Sequence, residues 1–315
     1  MSAAADLVLE VDSLAKTYGA FRAVDGISFS IPRGRVVGFL GPNGAGKATT
    51  IQMLLGITES NGGAIRYFGR DFARHRLDCL QRINFTSAFN SLLIRITVWE
   101  NLLIFAGLYG VPRARQKIRD LLGAFEIADL ADEFYRNLSA GQKTRVNLVK
   151  CLLNDPELIL MDEPTASLDP DISDKTLSLI ERLRRERNLS ILYTSHNMDE
   201  VTRICDEVIF LDHGRIVAHD TPENLTRRIA RARLRLRLEG QAAALAPHLD
   251  AQGLAWRLPD AQTLVVESEE RAIPGVLFGI ANAGAVITDI EIEKPTLEDV
   301  FLDFARNRPQ PGQGG

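Results

Sequence analysis

The sequence is short of the features that mark secreted and membrane-spanning chains. Its three cysteines (Cys79, Cys151, Cys205) stand far apart and form neither a CxxC pair nor a Cys/His metal spacing. That excludes a disulfide scaffold and a cysteine metal site, and it predicts reduced thiols in a cytoplasmic protein. No stretch approaches the roughly 20 apolar residues of a membrane span. The nearest, Leu102–Val111 and Ile273–Ile287, are too short, and the second is broken by a proline and three glycines. The start, MSAAADLVLEV, has no basic segment ahead of a long apolar core, so no signal peptide is expected. Any membrane-spanning part is expected to be another chain. The net charge of −4 argues against a molecule built as a whole for nucleic-acid phosphates. There is no internal repeat.

What is present is an ordinary globular balance, 45% hydrophobic and 25% charged, over 315 residues, which is long enough for two domains. To about Ala218, apolar runs alternate with helical patterns. VVGFLG, LILMDEP, SILYTSH and EVIFLDHGRIVA read as strands buried on both faces of an α/β sheet. LVLEVDSLAKTY and RAVDGISFSI alternate more and read as an antiparallel flank. Residues 91–153 carry helical patterns and little strand signal, as a helical insertion would. Near residue 229 the texture changes. RARLRLRLEG alternates with period two, and the order from there, β-α-β-β-α-β, predicts a small α+β ferredoxin-like unit. QAAALAPHLDAQG reads as its first helix, and TLEDVFLDFARN closes as another. The boundaries expected are 1–228, 229–306 and a Pro/Gly/Gln-rich disordered tail, 307–315.

The chemistry concentrates around VVGFLGPNGAGKATT, Val36 to Thr50. A buried strand, a glycine-rich turn and a helix from about Gly46 to Leu55 form the context in which such a turn binds phosphate. Gly41, Gly44 and Gly46 let backbone N–H groups turn inward, and Lys47 adds a point charge for the β/γ-phosphates. The helix N-terminus aims its positive end at the same place. The bland alternative is a glycine turn that binds nothing. LILMDEP places Asp162 and Glu163 at the end of a buried strand. Asp162 can reach a magnesium ion there through water, and Glu163 can polarise an attacking water; the alternative is an ordinary acidic turn. In NLSAGQKTRVNLVKCLL, Ser139 can cap a helix from Ala140 to Leu153, or that helix end can face a phosphate.

Together these segments resemble the ATP-binding subunit of an ABC transporter. Gly41–Thr49 (with Asn43, Ala45 and Ala48 among its residues) resembles Walker A. Leu138–Gln142 resembles the signature, and Leu158–Glu163 resembles Walker B. Ser167-Leu168-Asp169 resembles the D-loop, His196 in TSHNMDE the switch histidine, and Tyr18 the residue that stacks adenine. The order is the family's, over about residues 7–225. The resemblance implies a P-loop ATPase core that takes ATP and Mg2+. It implies a head-to-tail homodimer in which Lys47, Asp162, Glu163 and His196 of one subunit meet Ser139, Gly141 and Gln142 of the other. Dimer closure would drive a separately encoded membrane permease from its cytoplasmic face.

Two positions break the pattern. Ala48 stands where the family has a hydroxyl that binds magnesium, and Thr49 lies about 100° further round the helix. The position of the family's magnesium-contacting glutamine falls at Ala88, with Thr86, Ser87 and Asn90 nearby; no Gln occurs between Gln81 and Gln116. Ala140 is a milder departure. ATP binding is expected to persist with weakened hydrolysis; water filling the Ala48 gap, or an alanine introduced to trap nucleotide, are the alternatives. EKPTLEDVFLDFAR resembles the appendage on ATPases of drug, antibiotic, lipid or polysaccharide exporters, which favours export. Arg227, Arg228, Arg231, Arg233, Arg235 and Arg237 form either a solvated strand face or a contact for anionic lipid or an acidic partner. Leu297, Val300, Phe301 and Phe304 form one helical face, for packing on its own domain or for dimer contact. The rival functions are a regulatory nucleotide-binding subunit and a soluble ABC ATPase acting on nucleic acids or ribosomes.

Overall fold

Strands without polar alternation stay buried only where both faces of a sheet are covered. The computed structural model describes residues 6–88, 91–227 and 231–306. The chain divides into two compact units, Met1–Pro222 and Glu223–Gly315. The strands of the first unit are β1 (Leu7–Tyr18), β2 (Phe21–Pro32), β3 (Val36–Leu40), β4 (Gly62–Tyr67), β5 (Arg70–Asp71), β6 (Ile83–Ser87), β7 (Leu158–Asp162), β8 (Ser190–Thr194), β9 (Glu207–Asp212) and β10 (Arg215–Asp220). Its helices are α1 (Lys47–Leu54), α2 (Arg76–Gln81), α3 (Val98–Leu108), α4 (Ala114–Ala124), α5 (Ala140–Cys151), α6 (Pro170–Arg187) and α7 (Met198–Ile204).

One sheet runs β10-β9-β3-β8-β7-β6, with the strands from β9 to β6 parallel and β10 antiparallel at the edge. Every residue of β3 and β8 is buried, as their apolar runs require. A second, antiparallel sheet, β2-β1-β4-β5, forms the flank. Leu14, Ile27 and Tyr67 of the flank share one core with Phe39, Leu160 and Met53. Between β6 and β7 the described residues form helices joined by turns and irregular segments, with a single bridge, Thr97 to Phe134, and no strand. EVIFLDHGRIVA is not one doubly buried strand. It is a hairpin, turning at His213 and Gly214 with φ of 45° and 77°. Two positive φ values in succession match the right-handed twist of the flanking strands, and they leave β10 partly exposed. All three cysteines are buried and free, and burial pushes each thiol above its usual range.

In the second unit, α8 (Pro222–Arg227) precedes β11 (Arg231–Glu239), α9 (Ala246–Ala251), β12 (Ala255–Arg257), β13 (Thr263–Glu269), α10 (Ile273–Asn282), β14 (Val286–Glu293) and α11 (Leu297–Arg306). The sheet is antiparallel, in the interleaved order β12-β13-β11-β14. Leu234, Leu236, Leu249, Leu264, Val266 and Ile280 fill its core. The stretch read as one helix, QAAALAPHLDAQG, opens instead as a 3-10 turn, Ala242–Leu245, before α9. Pro247 explains the split, because an α-helix tolerates proline only in its first turn. Arg233, Arg235 and Arg237 lie opposite Glu293, Glu291 and Asp289 of β14. Arg233 also pairs with Asp299 at 2.8 Å, so this is a charge-balanced strand face. Leu297 and Val300 are buried. Asn90, Arg228, the Phe304 side chain and the tail 307–315 lie outside the described residues.

The buried end of β7 is fixed by one carboxylate. Glu157 accepts hydrogen bonds from Arg82 and Arg33, each at 2.5 Å, tying the starts of β6 and β7 to the end of β2. Those two guanidiniums, Arg82 above all, hold its carboxyl below the usual range. A carboxyl depressed in the fold stabilises above its unfolded pKa, and that contribution is lost as pH falls through the folded value. Glu157→Gln is therefore expected to cost about 1–2 kcal/mol at pH 7, where its partners are left partly buried. Urea melts should show the difference from the parent closing as pH falls below the carboxylate range; a constant difference at all pH values contradicts the assignment.

Candidate functional site

The parallel sheet brings the carboxyl ends of β3, β8 and β7 side by side, where an open α/β sheet presents ligands. From β3 the chain enters the loop Gly41–Gly46 and then α1. Gly41, Gly44 and Gly46 have φ of 151°, 82° and 104°. A Cβ at Gly41 would run into the Leu211 carbonyl, and one at Gly46 into the Ala23 carbonyl. Gly46 is the N-cap of α1 and no side chain caps that helix. Its first N–H groups therefore have no partner within the helix, which suits a phosphate. Ala45 packs into the core beneath, while Asn43 and Gly44 are exposed at the loop tip. The Lys47 ammonium folds over the loop, donating to the carbonyls of Gly41 at 2.5 Å and Pro42 at 3.2 Å. Burial lowers the Lys47 pKa, and Glu163 and Asp162 oppose that shift by favouring the charged form.

Asp162 closes β7 opposite Thr194 of β8, whose hydroxyl donates to it at 2.6 Å. Glu163 follows with φ of 48°, a left-handed conformation unfavourable for a side chain of its size. Two bonds hold it there: its N–H donates to the Thr194 carbonyl and hydroxyl, each at 3.0 Å. The bend turns its carboxylate to His196, 2.9 Å from Nδ1 to Oε2. The His196 ring is 71% exposed, and Glu163 is the hydrogen-bond partner of its Nδ1. The structure thus gathers Lys47, Asp162, Glu163 and His196 into one cluster.

The remaining residues are dispersed. Tyr18 is 48% exposed at the β1–β2 turn, with the Lys16 ammonium 5.1 Å from its ring centre. Across the turn, Phe21 is 62% exposed, a second aromatic that the sequence reading passed over. Ser139 and Gln142 form a reciprocal cap on α5. Ser139 Oγ accepts from the Gln142 N–H at 3.3 Å, and Gln142 Oε1 accepts from the Ser139 N–H at 2.9 Å. Gly141 leaves room for Ile172 of α6, which a Cβ would meet at 2.6 Å. These three line a separate hollow of about 250 Å3 with Glu126, Arg145 and Lys175.

The donor set limits the metal. Ala48 is exposed and offers no oxygen, and the Thr50 hydroxyl donates to the Gly46 carbonyl at 2.9 Å. Ala88 lies beside the site, its N–H 3.3 Å from the Asp162 carbonyl, again with no polar side chain. Ser87 is paired with Asp162 in the sheet, whereas Thr86 is buried and bonds toward Cys151. One carboxylate beside a phosphate cradle fits a magnesium ion that keeps most of its waters and is held chiefly by a nucleotide's own phosphates.

Comparisons with known proteins agree with this arrangement. The family model described as ABC transporter matches residues 24–166. The Nod factor export ATP-binding protein I of Ralstonia nicotianae is 36% identical, over 94% of this chain and 92% of its own length. The daunorubicin/doxorubicin resistance ATP-binding protein DrrA of Streptomyces peucetius is 33% identical, over 93% and 91%. Among solved structures, cbiO1 from Clostridium perfringens, part of the ABC transporter complex cbiONQ, superposes with a TM-score of 0.64. It is 27% identical, over 71% of this chain and 94% of its own. The chain belongs to the ABC transporter family, as an ATP-binding subunit with the family's ATPase core. No helix among the described residues is long and apolar enough to cross a membrane.

The glycine cradle gives the first test. Gly46→Ala should lower stability by about 1–3 kcal/mol through the strained φ and the Ala23 carbonyl. Gly44→Ala meets no atom, and only its φ of 82° opposes it. Chemical melts that rank the two equally contradict the cradle as drawn.

Proposed function

We propose that this chain is the energising subunit of an exporter, binding MgATP at the Lys47 loop and hydrolysing it with Glu163 and His196. The observation that carries the reading is the Glu163–His196 pair at 2.9 Å beside a part-buried lysine and an uncapped helix end. The N–H groups of Gly44 and of Gly46 to Ala48, with the Lys47 ammonium, bind the β- and γ-phosphates, which add negative charge beside the part-buried lysine. Thr49 faces the α-phosphate, and Tyr18 stacks the adenine. Asp162, held by Thr194, is the carboxylate that would hold a magnesium ion through water; the ion, when bound, neutralises phosphate charge during transfer. Glu163 accepts a proton from the attacking water, and His196 keeps that carboxylate pointed at the phosphates. Ser139, Gly141 and Gln142 complete the site from a second copy of the chain, where the α5 N-terminus meets the γ-phosphate. Closure of this head-to-tail pair works a separate polytopic membrane protein from the cytoplasmic side. Likeness along nearly the whole chain to proteins named for Nod factor export and daunorubicin resistance supports export over import.

Alanine at both positions 48 and 88 favours a second reading, a subunit that binds ATP and turns it over slowly. On the proposed mechanism, Lys47→Ala abolishes ATP binding. Glu163→Gln retains binding and loses at least about 100-fold in kcat. Ala48→Thr raises kcat with little change in affinity if the missing hydroxyl limits the site; equal turnover of parent and variant overturns the slow-site reading. Pull-down of the full chain from its native membranes should bring a polytopic membrane protein, whereas a stable ribosome complex instead overturns the transport assignment.

A further inference from the structure

Behind the Glu163–His196 pair lies a buried carboxylate with no part in the chemistry described so far. Glu200, on the first turn of α7, is 7% exposed. Its Oε2 accepts from three hydroxyls: Thr165 at 2.7 Å, Tyr193 at 2.8 Å and Ser195 at 3.0 Å. Its Oε1 accepts from Ser173 of α6 at 2.9 Å. A carboxylate only accepts hydrogen bonds, so four donors from four places in the chain converge on it without competition. Thr165 is two residues past Glu163, and Ser195 directly precedes His196.

The backbone on either side of His196 is closed into a ring through the same group. The Glu200 N–H donates to Asn197 Oδ1, the Asn197 N–H donates to Ser195 Oγ, and Ser195 Oγ donates back to Glu200. His196 stands inside this ring with its imidazole directed outward to Glu163. A cavity of about 370 Å3 lies against the same wall, lined by Thr165, Ser173, Ser195, His196 and Glu200. Water can therefore reach these groups if the ring loosens.

We infer that Glu200 is a positioning residue: it locks the turn after Glu163 and the turn bearing His196 into one rigid body, so that the pair keeps its 2.9 Å contact. The inference rests on the hydrolytic reading for its consequence, but the brace itself is independent of nucleotide. Glutamine at 200 keeps the volume, offers one acceptor oxygen in place of two and turns an N–H2 toward hydroxyls. The test is Glu200→Gln in the full chain, read in two ways. Amide hydrogen exchange without nucleotide should rise about tenfold in both 163–168 and 194–200 and stay unchanged in the loop 41–46. In turnover, kcat should fall about tenfold while KM for MgATP stays within about twofold, because the ATP cradle is untouched. Faster exchange confined to α7, or a KM increase at constant kcat, overturns the inference. Should Glu200→Gln not fold, Thr165→Val and Ser195→Ala each remove one donor and leave the carboxylate. Each is then expected to loosen both segments, and loosening of its own segment alone overturns the brace. If the parent chain hydrolyses no ATP, the proposed function fails while the exchange measurement still decides the role of Glu200.

Discussion

The site depends on the parallel register of β3, β8 and β7. Val36 pairs with Ile191, Leu158 with Ser190 and Asp162 with Thr194, so the three strands end level with one another. A one-residue slip would turn Asp162 and Thr194 to the opposite face and drive apolar neighbours into the site. Burial of these strands on both faces makes such a slip costly. The register is anchored at the opposite end as well, where Glu157 holds the start of β7 between Arg33 and Arg82. Charged groups at both ends of one short buried strand leave it little freedom to slide.

The electrostatics of the site follow from that placement. Lys47 is buried enough to lower its pKa, and among the described residues the carboxylates that favour its charge are Glu163 and Asp162. The lysine, the uncapped α1 terminus and these two acids form a balanced set without nucleotide. Phosphate adds negative charge that the loop welcomes and the acids repel. On the proposed function, a divalent cation between them would remove that conflict. Glu163 bears a second cost, its left-handed backbone, offset by two hydrogen bonds from its N–H to Thr194.

Much of this was legible in the sequence, for a physical reason. The loop, the acidic strand end and the helix cap are local, each decided by residues within one turn or strand of each other. What was missed is long-range. Glu200 reads in the sequence as an acidic residue favouring a helix N-terminus, which it also is; its four hydroxyl partners come from β8, its exit, α6 and the turn after β7. Thr194 looked like an ordinary strand residue, because its bond to Asp162 exists only through pairing of strands far apart in sequence. The β9–β10 hairpin was overlooked because His213-Gly214 is a less familiar turn pair than Asn-Gly, and the apolar run continues through it. The arginine stripe was visible, but the acids that balance it arrive from β14.

The two alanines gain meaning from where the register puts them. Ala88 continues β6 beside β7, and its N–H reaches the Asp162 carbonyl; Ala48 is on the exposed first turn of α1, one residue beyond Lys47. Ala88 thus touches the backbone of Asp162, and Ala48 directly follows the lysine of the phosphate loop. The phosphate cradle is backbone and lysine, so it is indifferent to both side chains. The metal side of the proposed site is not: an ion there would have Asp162 and the nucleotide as partners and would keep water elsewhere. Because magnesium sheds water reluctantly, a water-rich shell is a stable arrangement for it but a loosely oriented one. Looser orientation acts on the geometry of transfer before it acts on the affinity for ATP. On the proposed mechanism, a subunit built this way would separate binding from turnover, and that difference would set how long an ATP-closed state lasts.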